Sequence, residues 1–510
     1  MRRILFICAV LAAWPAYPDL QNFEIGGSIA IRGRWFHNSF NPNREVRIPR
    51  FFTIGRPLGP QGANSAYAWD NHAIDRKFVE MDTRIHVRAD FTTFTAALVE
   101  IESYDVWGED FRSNWQLGSD SRSVSVNDVE ILQAYVEADE IYGAPIRLRV
   151  GRQRLRFDDG WLVSDKGNAI RGLSFDGARL TWSLDPWLFD AFWTRIGNSG
   201  PVESDGNTGF AGVRAEYSGF DSTDVSAYWY WLRDARSQND TNFAGPLEML
   251  EDVFGLDNYD PSNLHTMGIF VRGDIASWDY ALHAAYQFGE ADAVGASFRP
   301  FLYGDNSAQF DAFAGDIELG YTFDASWSPR LYVGGAYIGG EDNRDLSFQD
   351  WMDPLDTPEA SVSFVRLFSE NAYTNLFDNE KSLSNFWQVR AGIVLEPVET
   401  ISISLEAAHY EVLDPFDMPW SFRAARFEIP IAPSLSFLTK EASNELGDAV
   451  TLRVTYAYSD NVTVSAGWEH LFSGEALGQG AFVRYNGSEN IGGKDSDDAD
   501  YFFLLAALSF

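Results

Sequence analysis

The sequence predicts an all-β fold, a transmembrane antiparallel β-barrel of about 18 strands. Apolar and polar residues alternate with a period of two rather than 3.6. Long and short connections alternate along the chain, and aromatic residues make up 15% of it, with 17 Trp. Because Trp and Tyr anchor a barrel at both membrane interfaces, this composition favours a membrane barrel over a soluble β-protein.

The first residues have the pattern of a signal peptide. Arg2 and Arg3 form a charged start, and Ile4 to Ala13 form an apolar core that is too short to cross a bilayer as a helix. We therefore expect residues 1–16 to be a signal peptide, cleaved between 13 and 16, and residues 17–510 to form a single outer-membrane barrel domain. Cys8 falls within the signal, so the mature chain would hold no thiolate metal site.

Eighteen segments have the length and alternation of barrel strands. They are Glu24–Phe36, Phe78–Phe91, Thr93–Tyr104, Asp128–Ala138, Ile146–Leu155, Leu173–Ser183, Trp187–Ile196, Phe210–Ser218, Asp224–Arg233, His265–Ile275, Trp278–Glu290, Phe310–Phe323, Arg330–Gly339, Asn385–Glu396, Ile401–Val412, Asp448–Ser459, Val462–Phe472 and Asp500–Phe510.

The connections between these segments support the barrel. Those after odd-numbered strands are long, such as 37–77 and 413–447, and those after even-numbered strands are short, such as 184–186. Bacterial outer-membrane barrels have an even strand number, long extracellular loops and short periplasmic turns. A propeller or double sandwich, the soluble alternative, has no reason to alternate in this way.

The two faces of each strand also differ. In the second strand Met81, Ile85 and Val87 point one way, and Asp82 and Arg84 point the other. We expect the apolar face to meet lipid and the polar face to line a lumen. Outward aromatic residues are predicted at both ends of the strands, forming two belts: Trp35, Trp193, Trp231, Phe288, Tyr337 and Trp468 at one end, and Phe91, Trp182, Tyr217, Phe323, Tyr458 and Phe510 at the other.

The last strand alternates up to a terminal aromatic residue. Phe502, Leu504, Leu508 and Phe510 lie on one face. This resembles the C-terminal assembly signal of outer-membrane barrels, so the barrel assembly machinery and outer-membrane lipid are expected partners.

Charge gives the first indication of what the lumen binds. The net charge is −35, which excludes a nucleic-acid partner, since phosphate binding needs a basic face. Only five of the 39 basic residues are Lys. The predicted lumen-facing, substrate-binding set consists of Arg alone: Arg32, Arg34, Arg84, Arg88, Arg147, Arg149, Arg179, Arg214, Arg272, Arg390 and Arg453.

Two interpretations of these arginines stay open. They could pair with inward carboxylates and hold the wall rigid, which we expect for about half of them. Alternatively, unpaired guanidinium groups could form a ladder for carboxylates, which they bind through two parallel hydrogen bonds. A series of sites that each bind with moderate affinity would let a polyanion pass without being trapped.

One region resembles the alginate export family of outer-membrane porins. The resemblance is strongest at Val150-Gly151-Arg152-Gln153, at Asp158-Asp159-Gly160-Trp161-Leu162, and at Arg171 followed by Phe175-Asp176-Gly177-Ala178-Arg179-Leu180. It implies an eighteen-stranded, monomeric pore with an electropositive constriction for an anionic polysaccharide. The family pattern would place a further basic residue near the turn at Asp158-Asp159.

The sequence therefore predicts passive passage of an alginate-like polyuronate through an Arg-lined pore in the outer membrane of a Gram-negative-type bacterium. The alternative is a general or oligosaccharide-uptake porin, because the sequence does not give the direction of transport. We expect no enzyme activity, cofactor or metal, although the acidic stretch 495–500 could in principle bind Ca²⁺. The long segment from Gly340 to Ser384 is expected to fold inward and restrict flow.

Overall fold

The structure is a computed structural model. It describes residues 20–39, 74–107, 129–166, 170–198, 207–235, 262–290, 308–340, 360–378, 381, 383–413, 421–424, 427–430, 443–477, 482–484, 489–492 and 498–510. The predicted signal peptide lies outside the described residues, as does the acidic part of the segment expected to restrict flow, from Asp342 to Asp356.

Eighteen long strands cross the described part of the chain. They are β1 (Asn22–Ser39), β2 (Ile74–Thr92), β3 (Thr95–Val106), β4 (Glu130–Ala138), β5 (Ile146–Gln153), β6 (Phe175–Leu184), β7 (Trp187–Asn198), β8 (Asn207–Phe220), β9 (Thr223–Asp234), β10 (Ser262–Ile275), β11 (Trp278–Glu290), β12 (Ala308–Thr322), β13 (Arg330–Ile338), β14 (Phe386–Val398), β15 (Ile401–Val412), β16 (Glu445–Ala457), β17 (Val462–Ser473) and β18 (Ala499–Ser509).

These strands close into one antiparallel barrel. Each pairs with its neighbours in sequence, and β1 also pairs with β18 in a register that runs from Ser28 opposite Ser509 to His37 opposite Asp500. Closure leaves no free sheet edge and satisfies the backbone groups that would face lipid. The predicted strand number and antiparallel barrel are confirmed, with strand ends that differ from the prediction by a few residues.

The two faces of the strands separate as the alternation predicts. Outward apolar side chains such as Ile85, Val136 and Val213 are exposed, whereas inward Asp82 and Arg214 are buried. Outward aromatic residues lie near both strand ends, as expected for two interfacial belts, with Trp193 and Tyr337 at one end and Trp182 and Phe510 at the other.

The connections alternate in length, but three carry short strands that the sequence did not predict. Ala360–Val362 pairs in parallel with the start of β12, and two small hairpins occur later, Ser421–Ala424 with Phe427–Pro430 and Phe482–Arg484 with Glu489–Gly492. The described residues include no helix long and apolar enough to cross a membrane.

The described parts of two long connections fold into the barrel. We name them loop 3 (residues 154–174, between β5 and β6) and loop 7 (residues 339–385, between β13 and β14). Their apolar residues, including Phe157, Trp161, Phe364 and Phe368, form one buried cluster with inward side chains of the wall. In the described residues, that cluster takes wall residues from β1 and from β6 to β18, but none from β3, β4 or β5.

Candidate functional site in the barrel lumen

The tip of loop 3 is a tight turn held against the wall by two carboxylates. Asp158 Oδ1 accepts hydrogen bonds from Arg214 Nη2 at 2.6 Å and from Ser226 Oγ at 2.7 Å. Asp159 Oδ2 lies 2.9 Å from Nε2 of His283. Gly160 has φ +88°, in the left-handed region that favours glycine, and a Cβ there would lie 2.9 Å from Glu370. The acids of this turn therefore anchor loop 3 to β8, β9 and β11.

Loops 3 and 7 are joined by a backbone ladder inside the barrel. The N–H of Phe368 donates to Leu162 O at 2.9 Å, and the N–H of Ser164 donates to Phe368 O at 3.0 Å. Beside this ladder, Glu370 of loop 7 accepts hydrogen bonds from Arg156 and from Ser164. The two loops thus form one unit that narrows the lumen.

Loop 7 is also docked on three strands of the wall. The side-chain amide of Gln287 on β11 bonds both the N–H and the carbonyl of Val365, each at 2.7 Å. On β17, buried Glu469 accepts a hydrogen bond from Asn375 Nδ2 at 2.8 Å, and on β15 the hydroxyl of Tyr410 donates to Tyr373 O at 2.6 Å. The expected inward fold of this segment is confirmed for the part that is described. Its effect on flow stays a prediction.

A buried ion pair shapes loop 7 from within. Arg366 Nη1 lies 2.7 Å from one Asp378 oxygen and 2.9 Å from the other, and both side chains are almost fully buried. Asp378 also accepts the backbone N–H groups of Tyr373 and Leu383. Because this carboxylate holds three parts of the segment together, the inner arm of loop 7 is a preformed element rather than a loose chain.

Most of the predicted arginines are paired with acids. Nine of the eleven have a carboxylate oxygen within 4 Å: Arg32 (Glu80), Arg84 (Asp82, Glu102), Arg88 (Asp90, Glu137), Arg147 (Asp139), Arg149 (Glu137), Arg179 (Asp190), Arg214 (Asp158, Glu216), Arg272 (Asp224) and Arg390 (Asp316, Glu318). Pairing is thus more extensive than the half expected from the sequence, since cross-strand register brings acids beside almost every arginine.

The other two arginines differ from each other. Arg34 is buried, donates to the hydroxyl of Tyr501 at 3.1 Å and lies over the ring of Phe36. Arg453 is exposed on the inner face, 5.3 Å from the ring centroid of Phe503, and has no carboxylate within 4 Å in the described part of the chain. The side chains of Arg34 and Arg214 are both buried. A substrate-binding role for the eleven stays a prediction.

In most of the ion pairs inside the barrel, the basic side chain is more exposed to solvent than its acidic partner. Lys166 is 60% exposed while Glu370 beside it is 13% exposed, and Arg171 is 46% exposed while Glu102 is 3% exposed. The same order holds for Arg32, Arg149, Arg154 and Arg179 with their acids. Arg214, Arg330 and Arg390 depart from it, since Glu216 is more exposed than Arg214 and Glu318 is the more exposed member of its pairs with Arg330 and Arg390. Around loop 3, Arg154, Lys166 and Arg171 are therefore more accessible than Glu100, Glu370 and Glu102, whereas Glu130 is nearly as exposed as Arg171.

Sequence reasoning did not assign to the lumen the six cations that the described parts of the two loops contribute. These are Arg154, Arg156, Lys166 and Arg171 of loop 3, and Arg366 and Lys381 of loop 7. Burial lowers the pKa of Lys381 to about 8, and its charge interacts with Glu370, Arg32 and Lys166. The apolar run Trp161-Leu162-Val163 beside an Asp-Gly turn was the sequence feature that could have shown that loop 3 folds inward, because an exposed loop does not need such a run.

The described residues hold no group of three or more His, Cys, Asp or Glu side chains that could bind a metal ion. The acidic stretch 495–500 is described only from Asp498 onward, where Asp500 lies 2.9 Å from Nδ1 of His470.

The sequence pattern of the alginate export family matches residues 64–487. The chain belongs to the alginate export family. Three Pseudomonas aeruginosa crystal structures have related folds, and each match covers 96% of this chain. OccK8 (OprE) has 10% sequence identity and a TM-score of 0.47, with 98% of its own chain covered, and OpdK with vanillate has 9% identity and a TM-score of 0.48, also with 98% covered. OccD3 (OpdP) has 10% identity and a TM-score of 0.49, with 92% of its own chain covered. Among curated protein sequences, none matches this member of the family.

Membership of this family and the closed barrel point to a pore in the outer membrane of a Gram-negative bacterium. Both are features of outer-membrane channels rather than of enzymes.

Proposed function

We propose that the chain is a passive pore for an anionic polysaccharide, an alginate-like polyuronate that moves outward through the lumen. The observation that carries the proposal is the exposure of three cations around loop 3, since Arg154, Lys166 and Arg171 are each more exposed than the acids Glu100, Glu370 and Glu102 beside them. Low-dielectric walls focus the local field, so a polyanion responds to these cations rather than to the total charge of −35.

The aqueous path is proposed to run along β2–β5. On the side of β6–β18 the two loops pack into the wall through the buried apolar cluster. The inner face of β2–β5 instead carries charged side chains, including Arg84, Arg88, Glu102 and Arg149. Loop 3 meets this sector at Ile170, whose carbonyl accepts a hydrogen bond from Arg84 Nη2 at 3.0 Å, and it adds the exposed cations Lys166 and Arg171 there.

The arrangement suits a moving chain because most of the described cations already have an acidic partner. Nine of the eleven predicted arginines share donors with a carboxylate, so a passing carboxylate competes there for one or two hydrogen bonds rather than for both donors of the guanidinium group. Conduction requires sites that are favourable enough to enter and weak enough to leave.

The test is single-channel recording in a planar bilayer. We expect anion selectivity, and block of the current by a soluble polyuronate. Lys166→Glu with Arg171→Glu should reduce both effects, because the two side chains are exposed and their reversal does not unpack the wall. Raising the salt to about 1 M, where screening shortens to about 3 Å, should weaken the block in the wild type.

The matched control is Arg195→Glu. Arg195 is exposed on the outward face, stacked on Trp193, so the same charge reversal there should leave selectivity unchanged. A cation-selective channel that ignores polyuronate would overturn the proposal.

The second candidate is a general or oligosaccharide-uptake porin. Nearly complete pairing of the arginines favours it, since a balanced wall admits small neutral and charged solutes alike. The relative permeation rates of a short neutral sugar and a short uronate distinguish the two candidates, because a general porin would pass both at similar rates.

A further inference from the structure

A half-enclosed pocket of about 240 Å³ lies beneath the tip of loop 3. Asp158 of loop 3 and Arg214 of β8 line one part of it, and Asp224 and Arg272 line another. Leu188, which directly follows the first residue of β7, also lines it. Because β7 begins at a short turn, the pocket lies in the half of the lumen on the side of the turns, below the narrow part of the barrel.

Asp190, one of the residues that line the pocket, has one carboxylate oxygen without a hydrogen-bond donor in the described residues. Asp190 Oδ1 accepts from Arg179 Nε at 2.8 Å and from the hydroxyl of Thr181 at 2.7 Å. Asp190 Oδ2 is buried and has no hydrogen-bond partner in the described residues; Arg214 Nη1 is 3.9 Å away. Buried polar atoms are normally paired, so this oxygen is a place where a ligand or a water donates.

Nearer the turns the pocket offers a donor. Arg272 is 59% exposed, and its only acid contact in the described residues is Asp224 at 3.5 Å. Arg214 pairs in register with Tyr228, four residues along β9 from Asp224, which is about 13 Å of strand. The free acceptor and the loosely held donor are therefore separated along the direction of the strands.

The charges that line the pocket balance. Four arginines and four acids contribute to it: Arg156, Arg179, Arg214, Arg272, Asp158, Asp190, Glu216 and Asp224. A balanced pocket does not concentrate a simple anion, whereas a ligand that both donates and accepts hydrogen bonds matches it.

We propose that this pocket is an entry subsite that binds a short stretch of the polyuronate as it arrives from the side of the turns. A sugar hydroxyl donates to Asp190 Oδ2, and a sugar carboxylate accepts hydrogen bonds from Arg272. The inference rests on the proposed function, because it takes the bound sugar to be part of the transported chain. The subsite would hold the chain end below loop 3 before it passes the constriction.

The test measures binding of a uronate trisaccharide to the full-length protein in detergent by calorimetry. Arg272→Gln should weaken binding about tenfold, the equivalent of about 1.4 kcal/mol, because one charge-assisted contact is lost. Leu188→Trp should weaken it as well by filling the pocket without changing its charge. Arg195→Gln is the matched control on the outward face and should bind as the wild type does.

A neutral trisaccharide provides the second comparison. It keeps the hydroxyl contact to Asp190 but has no carboxylate for Arg272, so Arg272→Gln should leave its weaker binding unchanged. Unaltered uronate affinity in both pocket variants would overturn the subsite. If those variants still show polyuronate block of the current, the pore function stands without the subsite, whereas a wild type that neither binds nor is blocked removes both.

Discussion

Lys381 of loop 7 has a charge that can change within an ordinary working pH range. Burial lowers its pKa to about 8, and its charge interacts with Arg32 and Lys166 near the proposed path. The pKa is lowered, so the charge is present below about pH 7 and lost as the pH rises toward 9. We therefore expect anion selectivity to fall between pH 7 and pH 9, measured as the shift in reversal potential under a salt gradient.

Two single substitutions separate this effect from a general loss of charge. Lys381→Gln should abolish the pH dependence and give the high-pH selectivity throughout. Lys166→Gln removes one charge from an exposed position and should lower selectivity while keeping the change near pH 8. A wild type whose selectivity is flat from pH 7 to pH 9 would contradict the assignment to Lys381.

At the scale of elements, the position of loop 3 depends on Asp158. Its carboxylate connects the loop to Arg214 and Ser226, and both Asp158 and Arg214 are largely buried. Asp158→Ala should cost about 3 kcal/mol, the lower end for a broken buried pair, because Glu216 still lies 2.8 Å from Arg214. We expect the loop tip to leave the wall, with higher and noisier single-channel conductance.

The control for this change is another Asp–Arg pair whose loss should matter little. Asp176 and Arg152 form an exposed pair, and such pairs contribute about 0–1 kcal/mol. Asp176→Ala should therefore leave the conductance at the wild-type value. If Asp158→Ala gave the same conductance as Asp176→Ala, loop 3 would not be held by this anchor.

At the scale of the whole molecule, stability in detergent depends on closure between β1 and β18. The terminal Phe510 exchanges two backbone hydrogen bonds with Gly27, at 2.9 and 3.0 Å, and its ring is exposed on the outward face. The wild-type protein should run as a folded species in SDS until heated, because closure satisfies the backbone within the membrane.

Deleting Phe510 should reduce the folded fraction recovered from membranes, read from the same heat-dependent shift on the gel. Phe510→Tyr keeps the ring and the backbone contacts and should behave as the wild type does. Normal recovery of the deletion would show that the last residue is dispensable for assembly.

The wall of the barrel was predictable from the sequence because its signals are local. Alternation within a strand such as β2 and the short turns after even-numbered strands can be read without knowing any partner. The interior was harder. The pairing of Arg390 with Asp316 joins residues 74 positions apart, and the contact between Arg156 and Glu370 joins residues 214 apart. Such contacts follow from register and loop docking, which alternation does not specify.

The turn at Asp158-Asp159 illustrates this difference. A basic residue was expected there for a passing anion, but the two acids face Arg214 and His283 of the wall instead. Their role is structural at the tip, and the accessible cations, Lys166 and Arg171, come later in the same loop.

The packing of loops 3 and 7 against β6–β18 has a consequence for how a polymer would advance. A path beside β2–β5 is a one-sided track rather than a ring of equivalent contacts. A helical polyuronate presents its carboxylates to such a track only once per turn of its own screw. Under the proposed function, forward movement is therefore coupled to rotation of the chain about its axis, and a polymer prevented from rotating would stall inside an otherwise open pore.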